Sequence, residues 1–407
     1  MERAPHHYSL PQLDEVVRQA SAISQAELQV LIKDESRISD DPRQWAAQAL
    51  ALFDCEAIST ESIRARGQFR VEQTQTEKET FVPIFVTNHC HADCAMCGMR
   101  RSNDELVRKF SGRRTIEEQL RILAEVDGVQ GVGFLTGEYQ DKYTRYVNAF
   151  YIGWAIHTAL RFGFSKIFFN IGSMTTDEIA VLAEWLDKGD ERVTMCVFQE
   201  TYNVDRYRRF MTDRRGDVPK ADFERRLSSF DNWLDAGFKT VNPGFLVGLH
   251  DVREELVQLL LHVAHLSHRG AQIYVSLPRL RPALGFSDKA KVGDAVYERL
   301  IAVVAYLSPR AGIVLTTRED MAFQDRVLPL VRTLSPGSPD VAPYSRDQEA
   351  PNDERSSQFL IPDHRRPRDI LSRMTQNGYR FRYFASPLVS ASTGQPTVTE
   401  QTAKEVH

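Results

Sequence analysis

From Thr80 onward the chain alternates short apolar runs with longer amphipathic segments, and this alternation constrains the fold more than any other feature. Repeated strand and helix units of this kind predict a parallel sheet with helices packed against it. We expect eight strands, at residues 81–87, 131–137, 166–172, 192–200, 240–248, 271–278, 312–318 and 332–338. Eight strands and about eight helices predict an α/β fold that forms a complete (β/α)8 TIM-type barrel rather than a partial one.

The barrel is predicted to occupy residues 76–380, between two segments of different character. Residues 1–75 contain helical patterns such as LPQLDEVVRQASAIS and DPRQWAAQALALF. We therefore expect an N-terminal helical extension that covers the barrel floor or one edge. Residues 381–407 are polar, small and without apolar periodicity, which is typical of a flexible C-terminal tail.

Two sequence signals indicate where helices of the barrel begin. Thr115 to Glu118 and Thr175 to Glu178 both fit the capping box, in which a hydroxyl and a carboxylate satisfy the first backbone N–H groups. Residues 356–378 form a further periodic segment, which predicts the last helix.

Composition excludes several classes of protein. The 407 residues are 42% hydrophobic and 26% charged with a formal net charge of −4, which describes an ordinary globular protein with no nucleic-acid partner. The arginine clusters at 205–215 and 364–368 alternate with acids and apolar residues, so solvated helix faces are predicted there. The N-terminus has no apolar signal core and no run approaches the ~18 residues of a membrane span. A cytoplasmic, reducing location is therefore expected.

Three cysteines, Cys90, Cys94 and Cys97, lie directly after the first predicted strand. Barrel enzymes carry their active sites where strands end. Three thiolates at this spacing can hold three irons of a 4Fe-4S cluster and leave the fourth iron open to a small molecule. A zinc site completed by His89 or His91 has less support, because structural zinc sites usually pair two ligand couples and no second couple occurs.

The remaining cysteines do not extend this site. Cys55 and Cys196 stand alone in apolar surroundings, which is typical of buried core residues, so no second cluster is expected. A disulfide is disfavoured because only five cysteines occur, no secretory signal precedes them, and three crowded thiols cannot pair evenly.

Polar residues at the ends of the next strands are candidate cofactor ligands. After the second predicted strand, small residues allow close approach and a carboxylate can bind an ammonium group. The residues of this turn are Thr136, Gly137, Glu138 and Tyr139. The third and fourth strands end near side chains that suit a ribose or an adenine, namely Asn170, Ser173, Gln199 and Glu200. Plain turns and strand caps would also explain each of these segments taken alone.

Arginines at later strand ends are candidate clamps for a carboxylate. Three of them are predicted cofactor contacts that can use the planar guanidinium fork in this way, although each can instead pair with a surface acid: Arg226, Arg279 and Arg281. Arg318 is the stronger candidate because it ends the seventh predicted strand, where a surface ion pair is less natural. Ser335 and Pro336 end the eighth strand at a turn that can face the barrel mouth. Arg318 and Ser335 together resemble a clamp for an amino acid.

These motifs, in this order, resemble the radical S-adenosylmethionine aromatic amino-acid lyases, in particular the tryptophan lyases that make 3-methyl-2-indolic acid for thiopeptide antibiotics. The matching segments include RKFSGR, GVGFLTGEY, FNIGSM, TMCVFQE, PRLRPA, VLTTRE, SPGSPDVAPY and NDERSSQFL. The tyrosine lyases of thiamine synthesis and of hydrogenase-cluster maturation share the FQETY, PRLRPA and TRE segments.

The resemblance implies a carbon–carbon lyase with a 4Fe-4S cluster on the three cysteines and S-adenosylmethionine on the open iron. An electron from an external donor, such as flavodoxin or ferredoxin, splits the cofactor, and the resulting radical removes hydrogen from the amine of L-tryptophan or a similar aromatic amino acid. Arg318 and Ser335 are then the catalytic pair, and Phe85 and Pro336 join them in binding the substrate. Cα–Cβ cleavage of tyrosine or another aromatic amino acid is the alternative.

Two positions depart from the tryptophan lyases. Phe85 stands where those enzymes have a tyrosine, and His89 replaces an aromatic residue just before the first cluster cysteine. By strand alternation Phe85 points either into the barrel or against a helix. If it points inward, no hydroxyl lies beside the substrate and the indole is held differently. A non-catalytic iron–sulfur scaffold protein is disfavoured because neither the cysteines nor the Arg318 and Ser335 clamp is lost.

Overall fold

The computed structural model describes residues 7–211, 218–287, 292–337, 339–346 and 353–385. Within these residues, ten parallel strands form one sheet in the order β10-β1-β9-β8-β7-β6-β5-β4-β3-β2. The strands are β1 (Lys78–Thr80), β2 (Val82–Phe85), β3 (Gly131–Leu135), β4 (Lys166–Asn170), β5 (Val193–Glu200), β6 (Thr240–Phe245), β7 (Gln272–Ser276), β8 (Gly312–Thr316), β9 (Thr333–Ser335) and β10 (Phe381–Arg382).

Helices precede the sheet and connect its strands. In the described residues they are α1 (Asp14–Ala22), α2 (Gln25–Lys33), α3 (Pro42–Asp54), α4 (Thr60–Thr74), α5 (Arg113–Arg121), α6 (Lys142–Arg161), α7 (Thr176–Ala183), α8 (Val204–Met211), α9 (Phe223–Leu227), α10 (Ser229–Asp235), α11 (Val252–His268), α12 (Asp294–Leu307), α13 (Met321–Val327) and α14 (Pro367–Gln376). None of these helices is long and apolar enough to cross a membrane.

The strands β1 and β2 join the two ends of the sheet. Only Phe81 separates them in the chain, yet β1 pairs with β9 whereas β2 pairs with β3. One extended stretch from Lys78 to Phe85 therefore lies between the first and last strands of the barrel. The predicted (β/α)8 TIM-type class is confirmed, and each of the predicted strands overlaps an observed one. The short strand β10 is an addition that pairs with β1.

Aromatic side chains fill the barrel near the starts of its strands. The rings of Phe81 and Phe168 stack with centroids 4.0 Å apart, and Phe168 meets the edge of Tyr274 at 5.1 Å. The Tyr274 hydroxyl donates to Glu79 Oε2 at 2.6 Å, and Arg332 Nη2 donates to Glu79 Oε1 at 3.0 Å. Because this layer is packed and hydrogen-bonded, the open part of the interior lies toward the C-terminal ends of the strands.

The N-terminal helices cover one outer side of the barrel. Helices α3 and α4 pack against α11 and α12, the helices that precede β7 and β8. Arg299 of α12 anchors this packing through hydrogen bonds to four backbone carbonyls at the end of α3 and in the following turn, those of Leu52, Phe53, Cys55 and Ile58. The expected helical extension is therefore attached to the outer helix layer.

Local predictions had mixed outcomes. Thr175 and Glu178 form the predicted capping box of α7. The capping box predicted at Thr115 is wrong, because α5 begins at Arg113 and its N-cap is Gly112, which has no side chain. Thr115 therefore lies within the helix. Within the segment 356–378, the helix α14 begins only at Pro367, since proline suits the first turn of a helix and not its interior. Most of the predicted flexible tail, residues 386–407, lies outside the described residues.

Candidate active site

A cavity of about 220 Å³ opens among the C-terminal ends of the strands. The charged side chains of Glu138, Glu200, Lys220 and Arg226 line it together with the three cysteines, and this group is called the charged mouth. The other walls are mainly aromatic and aliphatic. The predicted site residues that line it are Phe85, Cys90, Cys94, Cys97, Thr136, Gly137, Glu138, Asn170, Glu200, Arg226, Arg281, Arg318 and Ser335. Residues from most of the strands therefore meet in one space, as in other barrel enzymes.

The cysteine loop follows β2 and is supported by hydrogen bonds to its sulfur atoms. The backbone N–H of Glu138 donates to Cys90 Sγ at 3.4 Å, and Gln358 Nε2 donates to Cys97 Sγ at 3.7 Å. Hydrogen bonds to ligand sulfurs tune iron–sulfur clusters, so this donor set suits cluster thiolates. The residues present therefore fit a cluster held by Cys90, Cys94 and Cys97.

The two histidines near the cysteines have separate environments. His91 Nδ1 accepts a hydrogen bond from the backbone N–H of Gln140 at 3.2 Å, and its ring meets Tyr139 edge-on at 5.3 Å. Nδ1 of His91 is therefore engaged, and among the described residues no group of three or more Cys, His, Asp or Glu side chains is arranged to hold a single metal ion such as zinc. Burial, with smaller contributions from Arg108 and His91, lowers the pKa of His89, so this imidazole is neutral near pH 7.

Glu138 extends from the turn after β3 into the mouth of the cavity. Its Oε1 accepts a hydrogen bond from Arg226 Nη1 at 2.7 Å, and Lys220 Nζ lies 3.8 Å from the same atom. Its other oxygen, Oε2, is buried and has no hydrogen-bond partner among the described residues. Leaving a buried carboxylate oxygen unpaired costs free energy. The ammonium group of the methionine moiety of S-adenosylmethionine is a donor that fits this position.

Two glycines allow close packing around Glu138, one against the cysteine loop and one against the carboxylate. A Cβ on Gly137 would lie 2.2 Å from the backbone oxygen of His89 and 2.6 Å from Cys90 Cβ, so the cysteine loop packs directly on this turn. Gly172 has φ of +88°, and a Cβ there would lie 2.2 Å from the carboxylate carbon of Glu138. Only glycine allows both the left-handed backbone and the close approach at position 172.

Glu200 ends β5 in an unusual backbone conformation, with φ of +69° at an irregularity in the pairing with β6. Non-glycine residues in this region are strained and often belong to functional sites. Lys220 Nζ donates to Glu200 Oε1 at 2.6 Å, and Arg226 Nη2 lies 3.6 Å from it. Burial alone would raise the pKa of Glu200, but the charges of Lys220 and Arg226 outweigh it and lower that pKa. Glu200 is therefore ionised near pH 7.

Arg318 follows β8, and its side chain reaches the cavity. Its guanidinium carbon lies 3.6 Å from the centroid of the Phe359 ring, and Nη1 donates to the backbone oxygen of Arg279 at 3.3 Å. Burial lowers the pKa of Arg318 to about 10. No carboxylate within the described ranges forms an ion pair with it. A desolvated guanidinium of this kind favours an anionic ligand, and a carboxylate matches its planar fork.

Ser335 and Phe85 lie on the walls of the same cavity. Ser335 is the last residue of β9 and pairs in register with Thr316 of β8, two residues before Arg318. Phe85 is the last residue of β2 and points inward, so position 85 presents no hydroxyl to the cavity. Leu135 extends the apolar surface next to Phe85, and Phe198 belongs to a separate apolar cluster of the same cavity that includes Phe168.

Five of the predicted site residues do not line the cavity, namely Tyr139, Ser173, Gln199, Arg279 and Pro336. Gln199 lies between the inward-facing Phe198 and Glu200, and successive strand residues point to opposite faces. The ring of Tyr139 packs edge-on against His91 and does not line the cavity. Pro336 follows the last inward-facing residue of β9, whereas Gly337 lines the cavity.

The side chains of Arg279 and Ser173 have other partners. Arg279 Nε donates to Glu319 Oε2 at 3.0 Å and Nη1 donates to Asp294 Oδ1 at 2.7 Å, which leaves the guanidinium behind the cavity wall. Ser173 Oγ accepts a hydrogen bond from Arg225 Nε at 3.1 Å. Both side chains are therefore engaged by other protein groups, and their cofactor contacts stay predictions. Arg281 does face the cavity, and its buried Nε has no partner among the described residues.

Several cavity residues were not predicted. Lys220 reaches the charged mouth from a segment without any recognisable motif, and Phe359 and Gln358 come from the distant SSQFL segment. Asn242 and Ser276 provide the polar groups deeper in the cavity, where Ser276 Oγ donates to Asn242 Oδ1 at 3.1 Å. The NDERSSQFL segment is indicated in the sequence by its resemblance alone, and the segment around Lys220 carries no signal of its own.

The fold and the site together define a radical S-adenosylmethionine enzyme, in which the cysteine loop follows β2 of a parallel barrel. No protein-family model matches the chain. It is 30% identical over 310 residues to 2-iminoacetate synthase of Escherichia coli (strain K12), which covers 73% of this chain and 75% of that protein. A 2-iminoacetate synthase of Salmonella typhimurium (strain LT2) is 29% identical over 315 residues, with the same coverage. The chain belongs to the 2-iminoacetate synthase family.

Solved structures agree with this membership. The crystal structure of HydG, a maturase of the FeFe-hydrogenase, superposes with a TM-score of 0.78 at 25% identity and covers 93% of this chain and 83% of that one. Methylornithine synthase, PylB, has a TM-score of 0.59 at 16% identity and covers 92% of this chain and 99% of that one, which shows the shared fold alone. The protein is a radical S-adenosylmethionine carbon–carbon lyase whose cofactors are a 4Fe-4S cluster and S-adenosylmethionine.

Proposed function

We propose that this lyase cleaves the Cα–Cβ bond of a free aromatic L-amino acid. The observation that carries the proposal is the position of Arg318, which faces an aromatic cavity without a carboxylate partner in the described residues. The name of its relatives adds chemical support, because 2-iminoacetate contains the nitrogen, the α-carbon and the carboxylate of an α-amino acid that has lost its side chain.

The side chains around the cavity can bind each part of such a substrate. The Arg318 guanidinium binds the carboxylate, and the adjacent Ser335 hydroxyl accepts a hydrogen bond from the amine. The aromatic ring then packs against the apolar walls of the cavity, to which Phe85 and Phe198 contribute from two separate clusters. This orientation directs the amine toward the charged mouth, where the cysteines and Glu138 lie.

The cofactors supply the reactive species, and the side chains of the protein orient the substrate and the cofactor. When bound, the cluster and S-adenosylmethionine provide a 5′-deoxyadenosyl radical that can remove a hydrogen atom from the substrate amine. Glu138 Oε2 would accept a hydrogen bond from the ammonium group of the cofactor, while Arg226 and Lys220 hold the carboxylates of Glu138 and Glu200 in place. The enclosed aromatic walls exclude water and other hydrogen donors, so the geometry selects the bond that reacts.

A second candidate is the rearrangement of L-tryptophan to 3-methyl-2-indolic acid, in which the carboxyl-bearing fragment is retained. The segments RKFSGR, SPGSPDVAPY and NDERSSQFL favour it, because they belong to the resemblance to the tryptophan lyases, which extends over more of the chain than the resemblance to the tyrosine lyases. Both candidates use the same clamp and differ in the fate of the fragment after the side chain separates.

The test compares free amino acids in one assay. The anaerobically reconstituted protein is incubated with dithionite and S-adenosylmethionine, and with L-tyrosine, L-tryptophan or L-phenylalanine, and products are identified by mass spectrometry. Cα–Cβ cleavage yields glyoxylate and the methylated ring, p-cresol from tyrosine or 3-methylindole from tryptophan. The indolic acid would instead identify the rearrangement. Failure of all three amino acids to raise the yield of 5′-deoxyadenosine above the substrate-free control would refute both candidates.

A further inference from the structure

Helix α8 presents a basic face to solvent. Arg206, Arg208 and Arg209 are exposed, whereas Tyr207 is buried beneath them. Arg206 and Arg209 are three residues apart, so they lie on the same side of the helix. Arg208 approaches Asp205 at 3.9 Å, and within the described ranges neither Arg206 nor Arg209 forms an ion pair.

This basic helix borders the cysteine loop directly. The backbone oxygen of Phe210, in the last turn of α8, accepts a hydrogen bond from the backbone N–H of Ala95 at 2.9 Å. Ala95 lies between Cys94 and Cys97 and is exposed, so the cysteine loop reaches the surface at this point. The solvated helix face that the sequence predicts within residues 205–215 therefore lies beside the cysteine loop that would hold the cluster.

We propose that the exposed arginine face of α8 is the docking surface for an acidic one-electron carrier protein. A carrier bound there lies against the Ala95 edge of the cysteine loop, and it loses one electron while the cluster gains one. Like-signed arginines steer an oppositely charged partner and raise its association rate, an effect that salt weakens. This surface is independent of which amino acid the enzyme cleaves, so the inference goes beyond the proposed function.

The test separates reduction by a protein from reduction by a small molecule. In the full-length reconstituted protein, Arg206→Glu with Arg209→Glu reverses two charges, and cleavage of S-adenosylmethionine is measured with either reduced flavodoxin or dithionite. We expect the flavodoxin-driven rate to fall by about tenfold or more at low salt, whereas the dithionite-driven rate is unchanged. The control, Arg18→Glu with Lys33→Glu, changes the same charge on the exposed N-terminal helices and should retain the flavodoxin-driven rate.

Binding provides a readout that does not require turnover. Hydrogen exchange of the wild-type protein with and without flavodoxin should show protection at residues 204–211 and around Ala95. Protection elsewhere, or an unchanged flavodoxin-driven rate in the α8 variant, would overturn the proposal. If the α8 variant also lost dithionite-driven cleavage, the exchange pattern of the wild-type protein alone would decide the question.

Discussion

Arg226 Nη1 donates to Glu138 Oε1 at 2.7 Å, and this bond leaves Glu138 Oε2 as an unpaired acceptor in the mouth of the cavity. Arg226 is itself fixed, because its Nε donates to the backbone oxygen of Phe198 at 2.6 Å. The arginine therefore positions the carboxylate, and the carboxylate presents one oxygen to a ligand. The proposed contact between Glu138 and the cofactor depends on this relationship.

Replacing Glu138 with Gln should weaken the binding of S-adenosylmethionine by about tenfold or more, because a charge-assisted hydrogen bond to the ammonium group is lost. Equilibrium dialysis of the anaerobically reconstituted protein measures this affinity. Glu178→Gln is the matched control, since Glu178 is also buried and paired with two arginines, Arg145 and Arg225, but lies outside the cavity. Equal loss of affinity in both variants would contradict the assigned contact.

Gly172→Ala should both destabilise the protein and weaken cofactor binding. The new Cβ would meet the Glu138 carboxylate, and φ of +88° is unfavourable for alanine. Gly163→Ala provides the control, since Gly163 has φ of +85° but open space around its Cβ position. We expect a similar backbone cost of about 1 kcal/mol or more in both variants by thermal unfolding, and a loss of cofactor affinity only in Gly172→Ala. Unchanged affinity in Gly172→Ala would argue against the Glu138 contact.

Arg318 should account for recognition of the substrate carboxylate. The wild-type enzyme is expected to discriminate by about a hundredfold or more in kcat/KM between an aromatic amino acid and the amine that lacks its carboxylate. Arg318→Met should lose activity toward the amino acid and most of this discrimination. The yield of 5′-deoxyadenosine with tyrosine and tyramine, or with tryptophan and tryptamine, measures both values. Persistent discrimination in the variant would assign the carboxylate to another residue.

Glu255 of α11 should make stability depend on pH. It accepts a hydrogen bond from the backbone N–H of Tyr202 at 2.9 Å and another from the Thr201 hydroxyl, next to the strained Glu200. Burial raises the pKa of Glu255 from 4.5 to about 7. The folded protein therefore binds an extra proton between these values, and the resulting stability, present at low pH, is lost as pH rises through about 7.

The variant Glu255→Gln removes this titration. The free energy of unfolding of the wild-type protein, relative to the variant, should fall between about pH 5 and about pH 8 by up to about 3 kcal/mol. Denaturant titrations of both proteins at several pH values provide the comparison. Parallel pH profiles would show that Glu255 has an ordinary pKa.

Local patterns in the sequence predicted much of the fold and part of the site. The cysteine spacing and the alternation of strands and helices are short-range signals, so Cys90 and the ends of the strands could be located. Gln199 and Glu200 were indistinguishable in the sequence, because the direction of each side chain depends on the register of β5 within the barrel. The approach of Lys220 to Glu138 and Glu200 depends on the tertiary packing of a segment without a motif, and no local pattern indicates it.

The origin of the hydrogen atom that enters 5′-deoxyadenosine shows which group of the substrate faces the cofactor. With the clamp formed by Arg318 and Ser335, the amine is the group directed toward the cofactor, and amine hydrogens exchange with solvent. In D2O with an unlabelled aromatic amino acid, we expect 5′-deoxyadenosine that carries one deuterium by mass spectrometry. Unlabelled 5′-deoxyadenosine in D2O, together with deuterium transfer in H2O from a substrate labelled at Cβ, would show that the hydrogen atom comes from Cβ and not from the amine.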